Sequence, residues 1–237
     1  MIKIEHIEVF NLEGAVRAMR NPLNSWSKSD SKWEFDGYSI REAREIYEYV
    51  LGEADLALMR KLVKAGSDHR KFMRQIMVSM DITAPLYWWK EFDTYKVGTV
   101  ANSCSTMHTI HKKPFELGDF SHEHLLDDAI NADYDLDGQG GLVSLRTSAY
   151  SMLVDTVALL NAYREEFIQS GNKKYWWQMI QLLPTSYNQL RTVTLNYEVL
   201  LNMYHARRNH KLDEWRELCG VIEALPYFSE ICLEETT

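Results

Sequence analysis

The sequence predicts an α+β fold, with strands concentrated in the first half of the chain and helices in the second. Apolar residues alternate over 76–82, which is typical of a half-buried strand, and a shorter strand is expected over 2–10. Long helices are expected at about 147–169 and 187–218. Because strands and helices are segregated along the chain and do not alternate, α+β is favoured over a doubly wound α/β fold.

The remaining elements follow from local signals in chain order. A helix is expected over 12–20 and a loop over 21–26. Ser39 and Glu42 form the Ser-x-x-Glu pattern of a capping box and predict a helix that includes positions 46, 49 and 50. The next helix has apolar residues at helical spacing and a glycine suited to its C-terminal cap, namely Leu56, Met59, Leu62, Val63 and Gly66.

The segment 109–145 is polar and irregular, and we expect it to be a surface excursion from a single domain that spans residues 1–237. Within it, the motif Asp-x-Asp-x-Asp-Gly at 133–138 resembles the start of a calcium-binding loop. Such a loop needs an acid at its twelfth position, which here is Ser144. A solvated acidic loop is therefore expected, and no metal site is predicted.

Composition limits the kinds of partner. The formal net charge of -8 disfavours nonspecific binding of nucleic acid, which requires a basic face, but it leaves a single nucleotide open as a ligand. No apolar run approaches the roughly 20 residues of a membrane-spanning helix, and no signal peptide is expected. The three cysteines, Cys104, Cys219 and Cys232, match no metal or disulfide pattern, so a cytoplasmic protein is expected.

One stripe of the predicted last long helix combines apolar and polar residues. Asn196, Leu200, Met203 and Arg207 are spaced by four, three and four residues and therefore share a face. The two apolar members indicate that this face points to the interior. A buried guanidinium needs a partner, because desolvating it alone costs several kcal/mol. That partner is either a structural carboxylate or a ligand.

The same region carries a resemblance to a known family. Leu183-Pro184, Thr-x-Thr-Leu-Asn at 192–196, Asn202 and Arg207 have the spacing found in the C-terminal half of the flavin-dependent thymidylate synthases, the ThyX family. In the N-terminal half three segments are similar to this family. They are Ala-Val-Arg-Ala-Met-Arg at 15–20 followed by Ser25, Leu-Val-Lys-x-Gly at 62–66 followed by His69, and the strand that ends at Ala84-Pro85.

The signature of the family is replaced in this sequence. Its Arg-His-Arg falls on Thr94-Tyr95-Lys96, and its Asn-Glu-x-Ser falls on Asn102-Ser103-Cys104-Ser105. Two further arginine positions of the family hold Ile180 and Glu198. Cys104 is either a small packed side chain or, near a cation or a helix N-terminus, a nucleophile.

The resemblance implies reductive methylation of dUMP to dTMP, with FAD as cofactor, NADPH as reductant and methylenetetrahydrofolate as carbon donor. Arg207 is then the catalytic residue, which stabilises negative charge on the uracil ring, and it also binds substrate. The implied cofactor-binding residues are His69, Tyr95, Lys96, Asn196 and Asn202. The implied substrate-binding residues are Asn102, Ser103, Cys104 and Ser105.

The resemblance also implies a homotetramer. The tryptophan pairs at 88–89 and 176–177 agree with this, since they are expected to pack in the core or between subunits. Two alternatives to the methylation of dUMP stay open. The protein could modify C5 of another pyrimidine nucleotide with the same flavin chemistry, or it could be a nucleotide-binding or structural relic of the fold without catalysis.

Overall fold

The computed structural model describes residues 2–39, 41–135 and 142–233. Its strands are Lys3–Phe10 (β1), Lys32–Ser39 (β2), Arg44–Val50 (β3), Met77–Pro85 (β4), Val100–Ser103 (β5), Ile130–Asp135 (β6), Leu142–Thr147 (β7) and Asn188–Asn196 (β8). Its α-helices are Leu12–Arg20 (α1), Glu53–Lys64 (α2), Leu86–Phe92 (α3), Thr106–Thr109 (α4), Ala149–Ser170 (α5), Lys173–Leu182 (α6), Tyr197–Arg207 (α7), Asp213–Glu223 (α8) and Phe228–Cys232 (α9).

Four strands form an antiparallel sheet in the order β1-β4-β8-β5. Two separate hairpins pair β2 with β3 and β6 with β7. The predicted α+β class with a central antiparallel sheet is confirmed. No helix within the described ranges is long and apolar enough to cross a membrane.

The chain divides into two compact units. The first comprises Met1–Lys3, Thr83–Phe92 and Ser103–Arg191, and the second comprises Ile4–Ile82, Asp93–Asn102 and Thr192–Thr237. The boundaries fall inside β4 and β8, not in a linker. The expectation of a single domain over the whole chain stays a prediction.

In the first unit, the core lies between α5, α6 and the segment that precedes them. Its buried side chains are Ile110, Phe115, Phe120, Leu153, Val157, Leu160 and Met179. The backbone N–H of Phe115 donates to Asn161 Oδ1 (2.8 Å), and Asn161 Nδ2 donates back to the Phe115 carbonyl (2.9 Å). The surface excursion expected over 109–145 is therefore wrong for its first part, because isolated apolar residues without periodicity anchor that part in the core.

Later in that segment, strands β6 and β7 pair antiparallel. The Asp133 carboxylate accepts a hydrogen bond from the Ser144 hydroxyl across the hairpin. Asp137 and Gly138 of the acidic motif lie outside the described residues. Elsewhere in the first unit, Trp88 and Trp89 are fully buried, which agrees with packing in the core, whereas Trp177 remains about half exposed.

The second unit contains α1, the β2–β3 hairpin, α2 and the C-terminal helices. The helix expected after Ser39 is wrong, because residues 44–50 form strand β3. The Ser39 hydroxyl does accept from the Glu42 backbone N–H (3.2 Å), but this bond closes the hairpin turn rather than a helix. Aromatic and β-branched residues on both sides of the turn favour the paired strands over a helix.

The second long helix predicted over 187–218 is also wrong. Residues 188–196 form strand β8, α7 ends at Arg207, and a new helix begins at Asp213. Val193 and Leu195 are buried on one side of β8, so this stretch has strand periodicity of two. The turn from strand to helix lies at Asn196, whose side chain accepts from the Val199 backbone N–H (3.1 Å) and caps α7.

Candidate functional site

Arg207 is held by two aromatic side chains in the second unit. Its Nε donates to Tyr95 Oη (2.9 Å), and its guanidinium carbon lies 4.7 Å from the ring centre of Trp215 and 5.7 Å from that of Tyr95. The two rings meet edge to face with centres 5.9 Å apart. The neighbouring Arg208 is exposed, as expected from its position about 100° around the helix, whereas Arg207 is half-buried. Cation–π contacts therefore orient the Arg207 side chain at the end of α7.

The loop that carries Tyr95 and Lys96 approaches the first turn of α7. Gly98 has φ +80°, and a Cβ at this position would lie 3.2 Å from Asn196 Nδ2 and 3.1 Å from Val199 Cγ2. A glycine is needed here for both reasons. The structure thus brings together Tyr95 and Arg207 by direct contact, and Asn196 with the loop by close approach.

Glu198, which the resemblance aligns with an arginine of the ThyX family, faces a cation of its own chain. Its carboxylate lies 2.9 Å from Arg70 Nε, and both side chains are largely buried. One carboxylate oxygen, Oε2, has no aligned hydrogen bond. This ion pair connects α7 to the residue that follows His69. The charge reversal relative to the family is therefore neutralised locally by Arg70, which the sequence analysis had not singled out although it adjoins the predicted His69.

His69 lies at a cavity of about 810 Å³ in the second unit. The floor of this cavity is apolar and includes Leu58, Leu62 and Phe72, and its rim carries Ser25, Lys28 and His69. A mostly apolar lining with a few polar groups is typical of a small-molecule site, and here the acid Asp68 lines the cavity beside the hydroxyl, amine and imidazole groups. Ser25 and His69 belong to two separate segments of the resemblance, and both line this cavity.

A buried ion pair fixes the loop that bears Ser25. Arg20 Nε donates to Asp55 Oδ1 (2.6 Å), and Arg20 Nη1 donates to the Ser25 carbonyl (3.3 Å). The other oxygen of Asp55 accepts from the hydroxyls of Ser29 (2.6 Å) and Ser31 (2.7 Å). Burial opposes ionisation of Asp55, but these hydrogen bonds and the Arg20 charge outweigh it, and the pKa of the carboxyl is lowered.

The predicted substrate-binding residues occupy strand β5 and the turn after it. Asn102 belongs to the second unit, whereas Ser103, Cys104 and Ser105 belong to the first. The Cys104 backbone N–H donates to the Leu190 carbonyl (2.9 Å), and the side chain of Cys104 is exposed. The Ser105 hydroxyl accepts from the His108 backbone N–H (3.3 Å). Cys104 also lines a cavity of about 350 Å³ within the first unit, together with Lys113, Tyr187 and Gln189.

Three of the five predicted cofactor-binding residues, His69, Lys96 and Asn202, are exposed to solvent. Trp215 was not predicted as part of the site. Its only signal in the sequence is its position eight residues after Arg207, in a different helix.

Comparison with solved structures finds the same fold. Thymidylate synthase X (ThyX) from Helicobacter pylori with FAD and dUMP superposes with a TM-score of 0.60 and 15% identity, over 98% of this chain and 96% of that chain. A second ThyX structure from that organism, complexed with FAD and dUMP, superposes with a TM-score of 0.61 and 17% identity, over 98% of this chain and 99% of that chain. The chain has the ThyX fold.

A third solved structure with the ThyX fold is the UMP/dUMP methylase PolB from Streptomyces cacaoi, bound with 5-Br UMP. It superposes with a TM-score of 0.57 and 13% identity over 98% of this chain and 90% of that chain. Searches by sequence against protein-family models and against curated proteins find no match. At identities of 13–17% the similarity establishes the fold only. A proposal about function must therefore rest on the residues of the site.

Proposed function

We propose that this protein is a flavin-dependent methyltransferase that acts on C5 of a pyrimidine nucleotide, with dUMP as the first candidate substrate. The observation that supports this most directly is Arg207, which is oriented by Tyr95 and Trp215 on the ThyX fold. An arginine held this way presents a fixed positive charge. Such a charge stabilises the negative charge that develops on a pyrimidine ring when C5 becomes nucleophilic, an effect worth a few kcal/mol.

The residues present are compatible with FAD. The cavity beside His69 combines an apolar floor with hydroxyl and cationic groups at its rim. The Glu198 carboxylate, which alone would repel a diphosphate, is paired with Arg70. His69, Tyr95, Lys96, Asn196 and Asn202 are the residues we propose to hold the cofactor. A bound flavin would supply reducing equivalents taken from NADPH, and methylenetetrahydrofolate would supply the carbon unit.

The side chains of this protein have three proposed tasks. Arg207 binds the pyrimidine and stabilises its anionic form. Tyr95 fixes the guanidinium by accepting its Nε–H, which limits the rotamers of a flexible side chain before substrate binds. Residues 102–105, which align with the Asn-Glu-x-Ser of the family signature, are proposed to offer amide and hydroxyl donors to the nucleotide phosphate.

The test is formation of dTMP from dUMP by the purified full chain supplied with FAD, NADPH and methylenetetrahydrofolate. We expect Arg207→Ala to abolish turnover. Arg208→Ala is the matched control, because it removes the adjacent, exposed arginine of the same helix, and it should retain most of the activity. Equal activity of the wild type and Arg207→Ala would contradict the proposed role of this residue.

UMP forms a second arm of the same assay. The residues at 102–105 differ from the family pattern, and one neighbour of the same fold is a UMP/dUMP methylase. Methylation of UMP but not of dUMP would therefore support the proposed type of reaction and identify UMP as the substrate. A protein that binds no FAD by absorbance and converts neither nucleotide would support the alternative of a non-catalytic relic.

A further inference from the structure

A cleft in the second unit, whose lining includes neither Arg207 nor His69, is lined by aromatic and cationic side chains. It measures about 330 Å³, within the range of about 300–1,000 Å³ common for small-molecule sites. Val16 and Tyr49 form its buried floor, and Trp26 and Trp33 line it. We propose that this cleft binds a planar heteroaromatic ring that carries an anionic group, as nucleotides and folate-type pteridines do.

The two indoles are oriented and yet exposed. Trp26 Nε1 donates to Asn21 Oδ1 (2.8 Å), and Trp33 Nε1 donates to Glu13 Oε2 (3.4 Å). Trp33 also packs edge to face against Tyr49, with ring centres 5.3 Å apart. Despite these contacts, Trp26 is 49% exposed and Trp33 is 54% exposed. Their N–H groups are already engaged, so the indoles contribute ring surface to the cleft, which suits stacking more than polar recognition.

Two cations give the ligand its predicted charge. Arg17 and Lys32 both line the cleft. Arg17 is exposed on α1 and, within the described part of the chain, makes no ion pair. Lys32 shares its charge with Glu34, with Nζ to Oε1 at 2.9 Å. Arg17 is therefore the group best placed to meet a phosphate or carboxylate in a bidentate manner.

One acid, Glu13, also lines the cleft; it accepts from the Trp33 indole and keeps its negative charge. Arg20, the third cation that lines the cleft, is paired with Asp55. The exposed indole rings offer surface for stacking, and Arg17 offers the one guanidinium of the cleft without an ion pair among the described residues. These two features define the proposed ligand class. The site shares Arg20 with the cavity that contains His69, but it includes none of the six residues that we propose to bind FAD or the pyrimidine ring, namely His69, Tyr95, Lys96, Asn196, Asn202 and Arg207.

The experiment is equilibrium binding to the full chain at low salt, with two probes of the shared chemistry: adenosine 5′-monophosphate as the nucleotide and folic acid as the pteridine. Adenosine and inorganic phosphate serve as the controls that carry only the ring or only the charge. We expect one of the two probes to bind with a dissociation constant of 1 mM or tighter, on the order expected for one stacked ring and one ion pair. Adenosine and phosphate should bind much more weakly.

Variants identify the site. Trp26→Ala should weaken binding about tenfold, in line with the loss of one stacking surface, and Arg17→Ala should weaken it several-fold and reduce its salt dependence. Trp177→Ala, an exposed tryptophan of the first unit, and Lys61→Ala, an exposed cation of α2, should leave binding unchanged. Both Trp26 and Arg17 are exposed, so circular dichroism should report unchanged folding.

Binding that persists in Trp26→Ala and Arg17→Ala but is lost in Arg207→Ala would place the probe at the proposed methyltransferase site and overturn the inference. Absence of binding by both probes at 5 mM would overturn it as well. The binding titrations contain no flavin, reductant or turnover, so they report on the cleft without depending on dTMP formation. Loss of the cleft and loss of the methyltransferase are therefore observed separately.

Discussion

At the scale of single residues, the most informative position is Glu198. The family places an arginine there, and this chain places a carboxylate whose charge Arg70 neutralises. The pair shows how a charge reversal that looks incompatible with an anionic cofactor can be compensated by a residue distant in sequence. Such compensation is visible only when both side chains are seen together.

This pair yields a prediction about flavin binding. Arg70→Ala leaves the largely buried Glu198 unpaired, which should cost roughly 3–5 kcal/mol of stability and weaken FAD binding about tenfold, or about 1.4 kcal/mol. The double variant Arg70→Ala with Glu198→Gln also removes the negative charge of Glu198. It should recover most of the lost stability and most of the lost FAD affinity. Thermal melting and FAD titration measure the two effects. If Arg70→Ala binds FAD like the wild type, the ion pair is purely structural.

At the scale of elements, the loop between α1 and the hairpin depends on α2. Asp55 lies in the first turn of α2 and accepts five hydrogen bonds from that loop and from Arg20. One carboxylate therefore positions both Ser25 at the large cavity and Ser31 beside the aromatic cleft. A single residue of one helix thus supports the geometry of two candidate sites.

We expect Asp55→Asn to destabilise the protein by roughly 3–5 kcal/mol, because the buried Arg20 guanidinium loses its anionic partner. The exposed Asp128→Asn is the control and should change stability little. Urea unfolding measures both. A loss below 1 kcal/mol in Asp55→Asn would show that the hydroxyls and water suffice to hold the loop.

The lowered pKa of Asp55 also predicts a pH dependence. A carboxyl whose pKa is depressed in the folded state contributes stability above its unfolded pKa of about 3.9, and that contribution is lost as the pH falls through the folded pKa. The stability of the wild type should therefore decline below about pH 4 more steeply than that of Asp55→Asn. Parallel curves in urea unfolding between pH 5 and pH 3 would contradict this assignment.

At the scale of the whole molecule, the predicted homotetramer needs different support from that of the sequence. Trp88 and Trp89 are buried within one chain and do not require a partner. The exposed apolar surface lies elsewhere, on the hairpin at Phe35 (61%) and Tyr38 (58%) and on α6 at Trp177 (43%). Large exposed aromatic side chains of this kind are enriched at interfaces between subunits.

We predict a mass of about four times 27.7 kDa by light scattering at micromolar concentration. Phe35→Ser with Tyr38→Ser should reduce that mass if the hairpin is part of the interface, because hydrophobic contacts dominate obligate assemblies. The control Trp26→Ala should not. A monomer mass for the wild type would contradict both the predicted tetramer and any site shared between subunits.

The sequence by itself determined the α+β class, the first strand and helix, helix α2 and the central strand β4, because each has a local periodicity or cap that tertiary contacts do not override. Its residue motifs also carried the resemblance to the ThyX family, whose fold the solved structures share with this chain. Tertiary structure decided residues 44–50 and 188–196, where strand pairing outweighed a capping pattern and a helical stripe. Tertiary structure also revealed the partners of Arg207 and Glu198. Tyr95, Trp215 and Arg70 lie in separate segments of the chain. Because only folding brings these residues to their partners, no local sequence pattern predicts the contacts.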